Sequence, residues 1–142
     1  MEHFPDDPSI TNESDLLRRI PPYHIVMDNN LGARRPSSAA FEDDDDGEPM
    51  SVYLAPTLAA EGRAADTVLA GHAGFGLAAI TAGLAREKAQ TVHPDPLPQE
   101  SSHTVVCGDK RAGGKKCAKK GFALGARWIV EPSPPRASDF GA

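Results

Sequence analysis

The sequence predicts an α+β domain with a small, largely antiparallel sheet and three to four short helices. Three observations lead there. The chain has 142 residues, close to the commonest size of one domain and too few for two independent cores. It holds 13 glycines and 13 prolines, which favour many turns and short elements. Strand-like and helix-like apolar patterns also alternate along it, with no internal repeat and no long linker.

Residues 1–12 are polar and contain prolines, so they read as a loose tail before a domain spanning 13–131. Asn12 can cap a short helix running through Ile20, with Leu16, Leu17 and Ile20 as its apolar face. Pro21 and Pro22 stop that helix. Tyr23 to Met27 reads as a strand, Asp28 to Gly32 as a turn, and Arg35 to Phe41 as a short extended segment. Glu42 to Glu48 is an acidic loop, and Met50 to Leu54 alternates like a strand. Pro56 can open one or two short helices over Thr57 to Leu69, broken at Gly62.

Phe75 to Thr81 is the best candidate for a central strand, being apolar and flanked by glycine. Ala82 to Ala89 follows as a short helix. Val92 to Pro98 must be extended, because three alternating prolines exclude helix. His103 to Cys107 is a short strand. A helix then runs from Gly113 or Gly114 to about Gly125, with Cys117, Gly121, Leu124 and Trp128 on one buried stripe. Trp128 to Val130 closes the domain as a strand, and 132–142 is a Pro/Ser-rich tail.

No run is apolar enough for a membrane span. The N-terminus lacks the charged and apolar regions of a signal peptide, and only Cys107 and Cys117 occur. The expectation is a cytoplasmic protein without a disulfide framework. The net charge of −5 is unevenly spread. Residues 1–50 hold 12 acidic and 4 basic side chains, whereas 101–142 hold 3 acidic and 8 basic. Such a chain can attract its own other half or offer opposite patches to two partners.

Several constellations carry possible chemistry. Arg34, Arg35, Ser37 and Ser38, with His24 upstream, put two guanidiniums beside two hydroxyls on a proline-stiffened segment, a fit for phosphate or carboxylate. The competing reading is an ordinary turn with serines bonded to nearby backbone. His93, Asp95 and His103 surround one stiff loop and suit general acid–base work, or simply a solvated loop. His93, His103, Cys107 and Cys117 lack the close pairing of a structural zinc site, so no metal is expected. The acidic run lacks the spacing of a calcium loop and reads as solvated. Lys110, Arg111, Lys115, Lys116, Lys119, Lys120 and Arg127 form a basic patch able to track a phosphate backbone, or a solvated helix face.

The string RPSSAAF at Arg35–Phe41, preceded by LLRRIPP and followed by PMSV, resembles a small uncharacterised prokaryotic family. The similarity runs from about Leu16 to Val130, with HPDPLP and HTVVCG as further landmarks, and implies no activity. LLRRI, Arg35 to Ser38 and Val52 to Leu54 together are distantly similar to ADP-ribosyltransferase-like, RES-domain proteins. That resemblance implies NAD as cofactor, with Arg35, Ser37, Ser38 and Tyr53 around the nicotinamide. The sequence departs from it in lacking a clear downstream catalytic glutamate. Glu61 is the nearest candidate and Glu87 a poorer one.

Taken together, these features point to a binding or accessory protein for a small anionic ligand or a protein partner, without a cofactor. Its expected site pairs the Arg34–Ser38 segment with the His93–His103 loop. An NAD-using enzyme and a nucleic-acid contact through the basic helix are the alternatives.

Overall fold

A computed structural model describes residues 4–44, 48–111 and 117–132. Its centre is a six-stranded sheet in which every pairing is antiparallel. In chain order the strands of the protein are β1 Asp15–Ile20, β2 Ile25–Asp28, β3 Ala33–Pro36, β4 Met50–Leu54, β5 Gly76–Thr81, β6 Thr91–Pro94, β7 His103–Cys107 and β8 Arg127–Val130. The sheet order is β6-β7-β4-β1-β5-β8, and β2 pairs with β3 as a separate hairpin. The helices are α1 Ala55–Ala60, α2 Ala82–Glu87 and α3 Ala118–Gly125. The expected α+β class is the one observed.

Both faces of the sheet are covered. Leu16, Ile20, Met50, Val52, Ala78, Ile80, Val92 and Val106 point to one side, where α2, α3 and a 3-10 turn at Ser38–Ala40 close over them. Leu17, Tyr53, Leu77 and Ala79 point to the other, under Leu58 of α1 and Val68 of the 3-10 turn Ala65–Leu69. The assignment follows from the alternation of side chains along a strand.

This double burial explains the main misreading of the sequence. Asp15–Ile20 is not a helix but a strand in the middle of the sheet, paired to β4 and β5. Leu16, Leu17 and Ile20 fit a helical face, yet they also fit a strand whose two sides are both buried. With no polar face there is no alternation to see. Partner strands decide the matter, because each of the six residues of β1 has a partner on β5.

Smaller corrections have local causes. Pro22–His24 forms a 3-10 turn before β2, so the strand read over Tyr23–Met27 begins later. The strand expected at Phe75–Thr81 is β5, Gly76–Thr81, and lies inside the sheet, but the central pair is β1 and β4. Its first residue, Gly76, has no room for a side chain: a Cβ there would lie 2.7 Å from the Trp128 ring. Thr81 caps α2 by accepting a hydrogen bond from the Leu84 amide at 3.1 Å. The turn at Asp28–Gly32 forms as expected, with Asp28 Oδ1 accepting from the Asn30 and Leu31 amides and Gly32 at φ +68°.

Residues Phe4–Asn12, read as part of a loose tail, lie against β6 and α2. The Asp7 amide donates to Val92 O, Thr91 donates to Phe4 O, Arg86 pairs with Asp6, and Ile10 is buried. The tail from Ser133, like residues 1–3, lies outside the described residues.

Helix α3 buries Ala118, Phe122 and Ala123, and Leu124 is 65% exposed. The stripe drawn through Cys117, Leu124 and Trp128 therefore fails at Leu124, although Cys117, at the start of the helix, is buried. The helix ends at Gly125, so Trp128 belongs to β8 and cannot set the helical phase. Phe122, the larger side chain, takes the buried position and meets Phe41 edge-on at 6.0 Å. Instead of lying on β5, α3 packs mainly against the 38–40 turn, α2 and β3.

Candidate functional site

The Arg34–Ser38 segment forms β3 and the start of the following 3-10 turn. Arg35 Nε donates to Asp28 Oδ2 at 2.8 Å, and this hydrogen-bonded ion pair holds the Asp28 carboxyl below its usual range. Arg34 donates to Pro132 O, and its own carbonyl accepts from the Trp128 indole. The Ser37 amide donates to His24 O at 2.8 Å, while Ser38 accepts the Phe41 amide through its carbonyl. His24 is thus the histidine that shares the hairpin. His93 sits on β6, in contact with Phe4 and Pro5 O, at the opposite edge of the sheet from β8 and Trp128. Six strands in order mean five spacings, or roughly 24 Å, between those edges. The structure does not bring the Arg34–Ser38 segment and His93 together. Tyr53, placed with Arg35 by the NAD resemblance, is on β4 and faces a different cleft.

That cleft opens on the second face of the sheet, beside α1. It encloses about 210 Å³ and is lined by Arg18, Arg19, Asp44, Ser51 and Tyr53. Its construction begins where β1 and β4 part company. The two strands pair at Leu16↔Leu54 and Leu17↔Tyr53 and no further. Arg18 fills the resulting gap. Its guanidinium donates to Ser51 O at 2.8 Å and Ala40 O at 3.0 Å, with weaker contacts to Glu42 O and Asp44 at 3.4 Å. Burial pushes the Arg18 guanidinium down from its ordinary value, and Asp44 opposes that shift.

Arg19, next along the strand, is placed differently. Its Nε donates to Val68 O at 2.6 Å and its guanidinium stacks over the Tyr53 ring, 4.6 Å from the centroid. Among the described residues its two terminal nitrogens make no hydrogen bond. Burial raises the Tyr53 phenol, so Tyr53 remains a neutral wall under that cation.

His103, on β7 directly opposite Tyr53, reaches the same place. Its Nδ1 lies 2.9 Å from Asp95 O and 3.3 Å from Asp95 Oδ2, and its Nε2 lies 3.0 Å from Ser51 Oγ. Ser51 Oγ is also 2.7 Å from Asp44 Oδ2. Of the residues singled out from the sequence, His103 and Asp95 therefore do meet, with Ser51 and Asp44 as neighbours.

The basic patch and the acidic run meet each other. Lys110 is 3% exposed and donates to Asp43 at 2.6 Å and Val106 O at 2.8 Å. Glu42 pairs with both Arg111 and Lys119, and these cations hold its carboxyl below the usual range. The acidic segment is thus not a freely solvated loop, at least over Glu42–Asp44. Lys120 is exposed, while Lys115, Lys116 and Asp45–Gly47 lie outside the described residues. No helix among the described residues is long and apolar enough to cross a membrane, and no group of three His, Cys, Asp or Glu there is placed to hold a metal.

A bidentate ion pair ties the segment after α1 to the loop before β7. Arg63, after α1, grips Glu100 with both terminal nitrogens at 2.7 and 2.8 Å, and Ser102 Oγ adds a third bond at 2.8 Å. Together they pull the Glu100 carboxyl down to about 2, well below the ordinary range of a glutamate. A depressed carboxylate adds stability above its unfolded pKa and loses it as pH falls through the folded one. Melting temperature should therefore drop between pH 4.5 and about 2 partly because of Glu100. Glu100→Gln should be less stable at pH 7 and show a shallower acid slope in that window; an unchanged slope would mean that the pair contributes nothing.

Arg19 and Ser51 were missed in the sequence. Asp15–Ile20 read as a helix put Arg19 on a solvent face, and nothing in the order of residues marked Ser51 as a neighbour of His103. Comparison with protein-family models, curated proteins and solved structures found no significant match.

Proposed function

We propose that this protein binds a small anion, such as a carboxylate, in the Arg19–Tyr53–Ser51 cleft. The observation that carries the reading is the Arg19 guanidinium. It is fixed at one nitrogen and by the Tyr53 ring, with its terminal nitrogens turned loose beside an open cleft. A guanidinium fork already held in place loses little entropy when it takes a carboxylate, which is why such forks recur at anion sites. Arg18 does not compete, since main-chain carbonyls and Asp44 occupy it. The volume suits a ligand smaller than those of drug-sized pockets.

A second depression of about 330 Å³ between Glu42–Asp44 and Asp109–Arg111 is a weaker candidate, because its opposite charges already pair across it. The test is an NMR titration of the full chain with sodium acetate at constant ionic strength. Shifts should concentrate at Arg19, Ser51 and Tyr53, and Arg19→Gln should weaken binding roughly 10–100-fold, the worth of one charge-assisted pair. Equal binding by Arg19→Gln would refute the reading.

A further inference from the structure

We propose that Ser51, His103 and Asp95 form a nucleophile–base–carboxylate triad that hydrolyses small carboxylic esters in this cleft. The proposal rests on the anion-binding reading, since the acid released is the anion that Arg19 would hold.

The argument starts at the imidazole. Both groups facing His103 Nδ1, the carbonyl and the carboxylate of Asp95, are acceptors, at 2.9 and 3.3 Å. The proton of a neutral imidazole is therefore fixed on Nδ1, which leaves Nε2 as a bare acceptor. Nε2 lies 3.0 Å from Ser51 Oγ, within reach of the hydroxyl proton. This is the connectivity of serine and general base, with the main-chain carbonyl of Asp95 as the hydrogen-bonded orienter of the imidazole and its carboxylate beside it. The three residues come from β4, β7 and the loop after β6, and β7 pairs with both β4 and β6, so the sheet registers fix two of the three positions. His103 meets Tyr53 edge-on, with ring centroids 6.1 Å apart, and its side chain is only 11% exposed, so its ring is held.

Ser51 has a second acceptor, Asp44 Oδ2 at 2.7 Å. One hydroxyl proton cannot serve both. With the proton on the Asp44 side the serine rests, and with it on the His103 side the oxygen is activated. Arg18 holds Asp44 in turn, so the resting partner has a fixed place. The groups facing His103 are Asp95, Tyr53 and, through Ser51, Asp44, with Arg18 and Arg19 lining the same cleft.

The chemistry balances without an oxidant or cofactor. Ser51 Oγ forms a bond to the ester carbonyl carbon as its proton passes to His103 Nε2, and the carbonyl π pair moves onto oxygen. That oxyanion develops in the cleft that Arg19 lines. Collapse breaks the bond to the alkoxy group, which leaves as the alcohol with the proton from His103. Water repeats the sequence on the acyl-serine and releases the carboxylic acid. Asp95 touches neither substrate nor reacting atoms and is a positioning residue.

The experiment exposes the full chain to p-nitrophenyl acetate and reads both the nitrophenol burst and the mass of the peptide containing Ser51. The expected result is one acetyl group on Ser51, absent in Ser51→Ala. His103→Gln should slow acetylation by roughly 10²–10⁴-fold, the usual worth of a general base. Asp95→Asn, at a half-buried loop position whose side chain reaches solvent, keeps the measurement informative if His103→Gln fails to fold. It should slow acetylation through the maximal rate while leaving the KM for p-nitrophenyl acetate unchanged, because Asp95 orients the imidazole and touches no substrate. Acetylation only at lysines or at other serines overturns the triad. An unmodified Ser51 in a protein that still binds acetate overturns the triad and leaves the anion site standing, whereas failure of both overturns both.

Discussion

Phe122→Ala should cost about 3–5 kcal/mol of unfolding free energy, a large share of the 5–15 kcal/mol typical of a domain. Phe122 is fully buried and meets Phe41 at the point where α3 and the 38–40 turn close over the sheet. Removing the ring forfeits its burial and leaves a cavity that neither a strand nor a helix can easily collapse into. Leu124, two residues on, supplies the control. At 65% exposure it has little burial to lose, so Leu124→Ala should change stability by no more than about 0.5 kcal/mol. Urea melts of the two variants decide the matter. Equal losses would mean that the helix sits rotated from the position described.

Arg18→Met should cost on the order of 2–5 kcal/mol although its chain packs almost as well. The loss lies in the carbonyls of Ala40 and Ser51, which would face the methionine without a donor in a sheltered place, each at about 1–3 kcal/mol. Asp44 would also lose its partner, although it is exposed enough for water to replace the guanidinium. Arg18→Lys keeps the charge but not the fork, so it should fall between the two. The same variants should disturb Ser51, whose hydroxyl leans on Asp44. A methionine variant as stable as the parent protein would show that the gap between β1 and β4 closes without an arginine.

How much of this was legible in the sequence depended on whether a segment showed one face or two. His103–Cys107 and Met50–Leu54 were read with their observed bounds, and Ala82–Glu87 nearly so, because glycine, proline and threonine punctuate them. Asp15–Ile20 was misread because burial on both sides erases the alternation that marks a strand, and the neighbouring Arg18 and Arg19 mimic the polar side of a helix. The same error hid the candidate site, since both of its arginines lie on that strand. Asp95 and His103 drew notice as chemistry-bearing side chains on a stiff loop. Their partner Ser51 did not, as a serine alternating with apolar residues looks like the outer face of any strand. Only the pairing of β4 with β7 brings it beneath the imidazole. The charge asymmetry left two readings open, attraction to the chain's own other half or opposite patches for two partners, and Lys110–Asp43 is an instance of the first.

The position of β1 also sets a timetable for the nascent chain. Asp15 pairs with Thr81 and Ile20 with Gly76, so this strand finds its most extensive partner only when some sixty further residues have been made. At roughly 5–20 residues per second, translation leaves Leu16, Leu17 and Ile20 without their sheet for several seconds. Pairings between residues so far apart in sequence also pay loop-closure entropy before they return any energy, which slows the search. During synthesis the apolar side chains of this strand therefore wait for their partner, and an excess of chaperone that shields apolar segments should raise the yield of native chain.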